Sequence, residues 1–135
     1  MIQVFISDMR NYIPFTLISA SLIAIVFFFS GCKNNDPSVL KIFVRSNSNE
    51  LLPAASVVIV GDPASNPATL NYVDTLVTNA SGFAQFNMDT YFDMAGEGNE
   101  TGYFDVIVKK ETVDTAAYVR CRRHLTTVET VYLNY

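Results

Sequence analysis

From Val39 onward the sequence is a succession of short apolar or alternating runs, each cut by Gly, Pro, Asn or Asp, and none sustains the three-and-four spacing of a helix. In Val39 to Arg45, alternation puts Leu40, Ile42 and Val44 on one face and Lys41, Phe43 and Arg45 on the other. Ala55 to Val60 is β-branched and closes at Gly61-Asp62-Pro63. Tyr72 to Thr78 follows, then Phe83 to Met88, where Phe83, Gln85 and Asn87 alternate against Ala84, Phe86 and Met88. Tyr103 to Lys109, Ala116 to Arg120 and Thr127 to Leu133 complete the series. A strand with one apolar face must bury it against another layer. The pattern therefore predicts an all-β fold, a seven-stranded antiparallel β-sandwich. Ser46 to Glu50 and the two-proline stretch Pro63 to Asn71 read as loops, and Asp89 to Thr101 as a long polar insertion. Within it only Thr90 to Ala95 has the composition for a turn or two of helix.

The chain ahead of the strands is of another kind. Ile13 to Phe29 carries no charge and approaches the about 20 apolar residues of a membrane-spanning helix, so length alone does not separate a span from a secretory signal. The flanks favour the signal: Arg10 is the positive residue ahead of the run, and small Ser30 and Gly31 precede Cys32. Met9-Arg10-Asn11-Tyr12 makes a better start than Met1, because residues 2–8 include apolar Ile2, Val4, Phe5 and Ile6 and acidic Asp8.

Phe29-Ser30-Gly31-Cys32 resembles the bacterial lipobox, with Phe29 where Leu is commonest. The resemblance implies cleavage before Cys32 and a covalent lipid on its thiol. Two or more acyl chains hold a protein stably on a membrane, where one does so marginally. Lys33 to Ser38 is polar, contains Pro37 and reads as a tether. The expected organisation is a signal peptide over 1–31, a lipidated tether over 32–38 and a sandwich over 39–135. A phenylalanine-rich signal followed by Lys33 and Asn34 resembles lipoproteins of the Bacteroidetes, and Lys33 departs from the Asp of an inner-membrane retention signal. Both imply lipid anchoring at the outer membrane, with the periplasmic or cell-surface face left open.

The 135 residues carry 9 Lys and Arg against 13 Asp and Glu, a formal net charge of −4. An acidic chain is a poor nucleic-acid binder, because that binding rests on neutralising phosphates. Two cysteines invite a disulfide, but lipidation of Cys32 removes that option and leaves Cys121 as a lone thiol. Its place in an alternating run makes it a buried small hydrophobe.

Three further pieces resemble the carboxypeptidase-regulatory-like, or transthyretin-like, β-sandwich domains of bacterial surface proteins. The first is Glu50-Leu51-Leu52-Pro53-Ala54-Ala55-Ser56-Val57-Val58-Ile59, a Pro entering a strand. The second is Thr78-Asn79-Ala80-Ser81-Gly82-Phe83-Ala84-Gln85-Phe86, which follows the hairpin pattern of that family. The third is Gly102-Tyr103-Phe104-Asp105-Val106-Ile107-Val108. Asn79 and Gly82 suit a tight turn at positive φ, and Phe86 is expected in the core. The resemblance implies a scaffold or adhesion module. The purine-breakdown hydrolases of the same fold carry paired histidines and a C-terminal Tyr-Arg-Gly-Ser, and both are missing here.

His124 is the only histidine, three residues from Cys121. Alternation puts Cys121 and Arg122 on opposite strand faces and His124 in a turn, which argues against a nucleophile pair. Arg120, Arg122 and Arg123 form a cationic edge for an acidic partner or anionic lipid, or simply a solvated turn. In the insertion, Asp89, Asp93, Glu97, Asn99 and Glu100 are oxygen ligands of the kind calcium takes, but their spacing matches no EF-hand loop. A loop this long in a compact domain is often functional, so Tyr91, Phe92 and Met94 are the first candidates for a partner contact. There is no Trp, so a glycan face needs Tyr72, Tyr91, Tyr103 or Tyr118 exposed. No cofactor or metal is expected beyond the lipid on Cys32, and the chain is not expected to be an enzyme. The expected role is that of an outer-membrane-anchored accessory subunit of an envelope assembly or transporter; the alternative is a glycan-binding or adhesion module.

Overall fold

The computed structural model describes residues 35–135. The expected signal segment, with Phe29, Ser30 and Gly31, and Cys32, the expected lipidation site, lie outside the described residues. Asn35–Tyr135 forms one compact unit. Its strands are β1 (Val39–Ser46), β2 (Ser56–Gly61), β3 (Val73–Val77), β4 (Phe83–Asn87), β5 (Thr101–Lys110), β6 (Val113–Arg122) and β7 (Thr126–Leu133), with one short helix, α1 (Asp89–Ala95), between β4 and β5. All seven expected runs are strands.

They form two sheets, of order β4-β1-β7 and β3-β2-β5-β6. The inward faces make one core: Leu40, Ile42 and Val44 of β1 meet Val57 and Ile59 of β2, Phe104, Val106 and Val108 of β5, and Phe86 of β4, all fully buried. Burying one such side chain is worth about 1.5–3 kcal/mol, which is why a two-residue period suffices to specify the layers.

Two expectations need correction. The sheets are not all antiparallel, because β1 pairs with β7 in parallel, from Val39 opposite Thr126 to Ser46 opposite Leu133. The remaining pairings are antiparallel. They fit strands that alternate in direction along the chain, so β1 and β7, both odd in order, run together once adjacent. The second correction concerns Thr78 to Phe83. It is not a hairpin, since β3 and β4 belong to different sheets. Gly82 does take positive φ (66°), but Asn79 does not; Asn79 Oδ1 instead accepts from Ser81 N at 2.9 Å. Thr78, buried, links the sheets by donating to Leu52 O at 2.7 Å and accepting from Ala55 N at 2.9 Å.

The start of the polar insertion forms a plug. Residues Asp89–Ala95 are helical, and Tyr91 and Phe92 are each 1% exposed. Tyr91 packs edge-on against Phe92, Phe104 and Tyr72, with centroids 5.1, 5.0 and 5.6 Å apart. Gly102 makes room for this cluster, since a Cβ there would lie 2.8 Å from both Tyr91 and Phe104.

Candidate functional site

Two places on the sandwich bring chemistry-bearing residues together. The first is the junction where the polar segment enters β1. Ser38 is fully buried there and fastens three pieces of chain. Its N–H donates to Asp89 Oδ1 at 2.8 Å, its carbonyl accepts from Met88 N at 2.9 Å, and its hydroxyl accepts from His124 N at 2.8 Å. The bond from Ser38 holds the Asp89 carboxyl below its ordinary range. His124, at positive φ (58°) in the β6–β7 turn, has its Nδ1 2.9 Å from the carbonyl of Asp36. Around this junction lies a cavity of about 320 Å³ lined by Asn35, Asp36, Asp89, Phe92, Asp93, Arg123 and His124.

Arg123 belongs to the same end and is not a free cation. Its Nη2 donates to the carbonyls of Phe92 (2.6 Å) and Gly96 (2.8 Å), and its guanidinium lies 5.4 Å from the Phe92 ring centroid. A cation on the last carbonyls of a helix complements their partial negative charge, so Arg123 clamps α1 to the sandwich. Arg120 and Arg122 remain exposed on β6.

Of the insertion residues expected to meet a partner, Tyr91 and Phe92 are corrected to core residues: their rings fill the end of the sandwich. Met94, 58% exposed, is the one that faces solvent. The insertion's oxygen ligands are dispersed. Asp89 bonds Ser38, Asn99 Nδ2 donates to Ala95 O, and Glu100 lies 4.0 Å from Arg123 Nε. Among the described residues no three His, Cys, Asp or Glu side chains come together to hold a metal ion. Cys121 is fully buried, and burial pushes its thiol up to about 11, partly offset by a hydrogen bond with Thr127.

The second place is the outer face of the four-stranded sheet. The register aligns Thr75, Val58, Ile107 and Ala116 in one row across the sheet, and Val73, Val60, Asp105 and Tyr118 in the next. Val73 is 66% exposed, Val77 61%, Tyr118 53% and Ile107 41%. Tyr103 and Tyr118 stack there, with centroids 6.1 Å apart and planes at 18°. Tyr118 donates its hydroxyl to Asp62 Oδ2 at 2.7 Å, which pushes its pKa up to about 12. Of the tyrosines considered for a glycan face, Tyr91 is buried, Tyr72 packs on the core, Tyr103 is half-buried and Tyr118 is exposed.

Sequence reasoning missed Ser38, because a serine in a polar tether carries no signal of burial. It also missed the outer face, whose valines read as ordinary strand residues.

No family model and no curated protein matches the chain. Among solved structures, the Bacillus anthracis TIE protein superposes with a TM-score of 0.49 at 13% identity, over 73% of this chain and 16% of that one. Chlorocatechol 1,2-dioxygenase from Pseudomonas putida does so with a TM-score of 0.39 at 13% identity, over 76% of this chain and 61% of that one. The chain thus spans less than two thirds of either. Similarity at this level transfers no activity. The expectation that the chain is not an enzyme does not stand, since a dioxygenase is among the structures matched, and so weak a match supports neither a catalytic nor a non-catalytic assignment. The two-sheet β architecture rests on the chain's own strands and register.

Proposed function

We propose that this chain is a lipoprotein, anchored at the outer membrane through a lipid on Cys32, whose transthyretin-like sandwich acts as an interaction subunit of a larger envelope assembly. The observation that carries the reading is the apolar outer face of the four-stranded sheet. Scattered apolar residues on a surface are ordinary, but a contiguous patch marks a contact site. Val73, Val77 and Ile107, with half-buried Val58 and Val60 between them, make such a patch, and Tyr118 flanks it beyond exposed Asp105. Tethering two partners to one membrane raises their effective concentration, so a contact of modest intrinsic affinity is enough. The polar residues ahead of Ser38 supply the tether.

The stacked Tyr103–Tyr118 pair, flanked by Asp105 and Arg120, supports a second reading, a glycan-binding module. Sugars stack on exposed aromatic rings and bond to neighbouring charged groups.

The test is affinity purification of the tagged full-length chain from its native membranes in mild detergent, followed by mass spectrometry. A stoichiometric set of envelope proteins, lost in Val73→Asp and Val77→Asp variants and in Cys32→Ala, is expected. Recovery of the chain alone from wild-type membranes would refute the subunit reading. Glycan binding abolished by Tyr118→Ala would establish the second.

A further inference from the structure

Among the described residues the two sheets have four edge strands, β3, β4, β6 and β7. An open edge exposes unpaired backbone donors and acceptors, and proteins blunt it by shortness or by an inward-pointing charge. β3 and β4 are five residues each. Inward register positions hold a carboxylate on β3 (Asp74, opposite Ile59) and on β7 (Glu129, opposite Ile42). β6 has neither device, and its charges, Asp114, Arg120 and Arg122, all lie on the outward face. It is ten residues long, contains no Pro or Gly, and pairs with β5 without a break from Thr101 opposite Arg122 to Lys110 opposite Val113. Its inward residues are Val113, Thr115, Ala117, Val119 and Cys121, none of them charged.

The outward residues of β6 read Asp114, Ala116, Tyr118, Arg120 and Arg122, acidic at one end and basic at the other, and all are exposed. That order is self-complementary under reversal. From this we infer that β6 is a homodimer edge: two copies pair antiparallel through β6 about a two-fold axis at Tyr118, joining their four-stranded sheets into one. Centring on a residue keeps inward positions opposite inward ones, as a shared core face requires. Asp114 then faces Arg122 of the second copy, twice. Ala116 faces Arg120, leaving room for its stem, and Tyr118 faces its own equivalent. On the inner side Ala117 meets Val119, small against large. A two-fold at Ala117 would instead set two alanines face to face.

Each partner repeats the same contacts, as an isologous interface demands. Backbone bonds supply the affinity and the charge order supplies the register. The pairing uses the strand edge and leaves the apolar outer face open, so it stands independently of the function proposed above.

The test uses the full-length chain in mild detergent and reads its mass by sedimentation. A dimer is expected. Asp114→Arg sets like charges opposite each other at two places and should raise the dissociation constant roughly tenfold or more. Combining Asp114→Arg with Arg122→Asp reverses both charges and should restore the dimer, which a folding defect would not permit. Tyr118→Cys should yield a disulfide-linked dimer under mild oxidation, and Asp105→Cys, one strand in, should not. A monomer at high micromolar concentration would overturn the inference. So would a dimer indifferent to Asp114→Arg, failure of the double swap to rescue, or the absence of a Tyr118→Cys crosslink.

Discussion

Gly61 closes β2 as the expected end of a run, but the structure gives it a stricter duty. Its N–H donates to the carbonyl of Tyr72 at 2.8 Å. A Cβ at this position would lie 2.2 Å from the carbonyl oxygen of Leu70 and 3.2 Å from Thr69 Cγ2. An ordinary carbon–oxygen contact is about 3.3 Å or more, so Gly61→Ala must displace backbone by about 1 Å. Overpacking of this kind costs about 1–3 kcal/mol. Losing the bond to Tyr72 adds about 1 kcal/mol. The loss should therefore reach roughly 2–4 kcal/mol, a large share of the 5–15 kcal/mol typical of a domain. Thr69, whose hydroxyl accepts from Tyr103 N at 2.8 Å, would move with it and disturb the start of β5. Urea unfolding of the unit 35–135 is the assay. With a slope of about 1–1.5 kcal/mol per molar, the midpoint should fall by roughly 2 M. Gly96→Ala is the comparison, because a Cβ there meets nothing within 4 Å and the cost is backbone strain alone, at φ 83° and ψ 173°. That region is essentially glycine's own, so the change should cost about 1–3 kcal/mol. If Gly61→Ala moves the urea midpoint by less than about 0.5 M, the close approach is not what requires glycine, and the reasoning fails.

Two further outcomes follow from the titratable groups. The bond from Ser38 lowers the Asp89 pKa beneath its ordinary 3.8, so its contribution is complete above about pH 4 and is lost as pH falls through the lowered folded value. The stability gap between wild type and Asp89→Asn should therefore be largest at neutral pH and shrink below about pH 4; a gap that stays constant to pH 2 in acid titrations refutes the assignment. Cys121, buried with its thiol at about 11, should resist maleimide at pH 8 in the folded chain and react within minutes in urea. Stoichiometric labelling of the native protein would show that the thiol reaches solvent.

The candidate site was less legible than the fold around it. Asp89 and Phe92 drew notice as members of a polar loop, but their roles depend on Ser38 and Arg123, far away in sequence. Arg123 looked like one of three surface cations until the helix it clamps was in place. Tyr91 and Phe92 read as a loop tip because a seven-residue helix gives too few turns for its periodicity to show, and their burial depends on Gly102 and Phe104 making space.

The sequence by itself determined that this chain is built of seven strands, where most of them begin and end, and which side chains of β1 and β4 share a face. These are local properties: alternation has a period of two residues, and turn residues act within three or four of their own position. Only the tertiary structure decided that β1 lies beside β7 in parallel, that Thr78 to Phe83 crosses between sheets, that Tyr91 and Phe92 of the insertion plug the core, and that β6 is, among the described residues, the longest open edge. Those depend on which strands become neighbours, a choice set by summed side-chain volumes and long-range hydrogen bonds that no window of sequence contains.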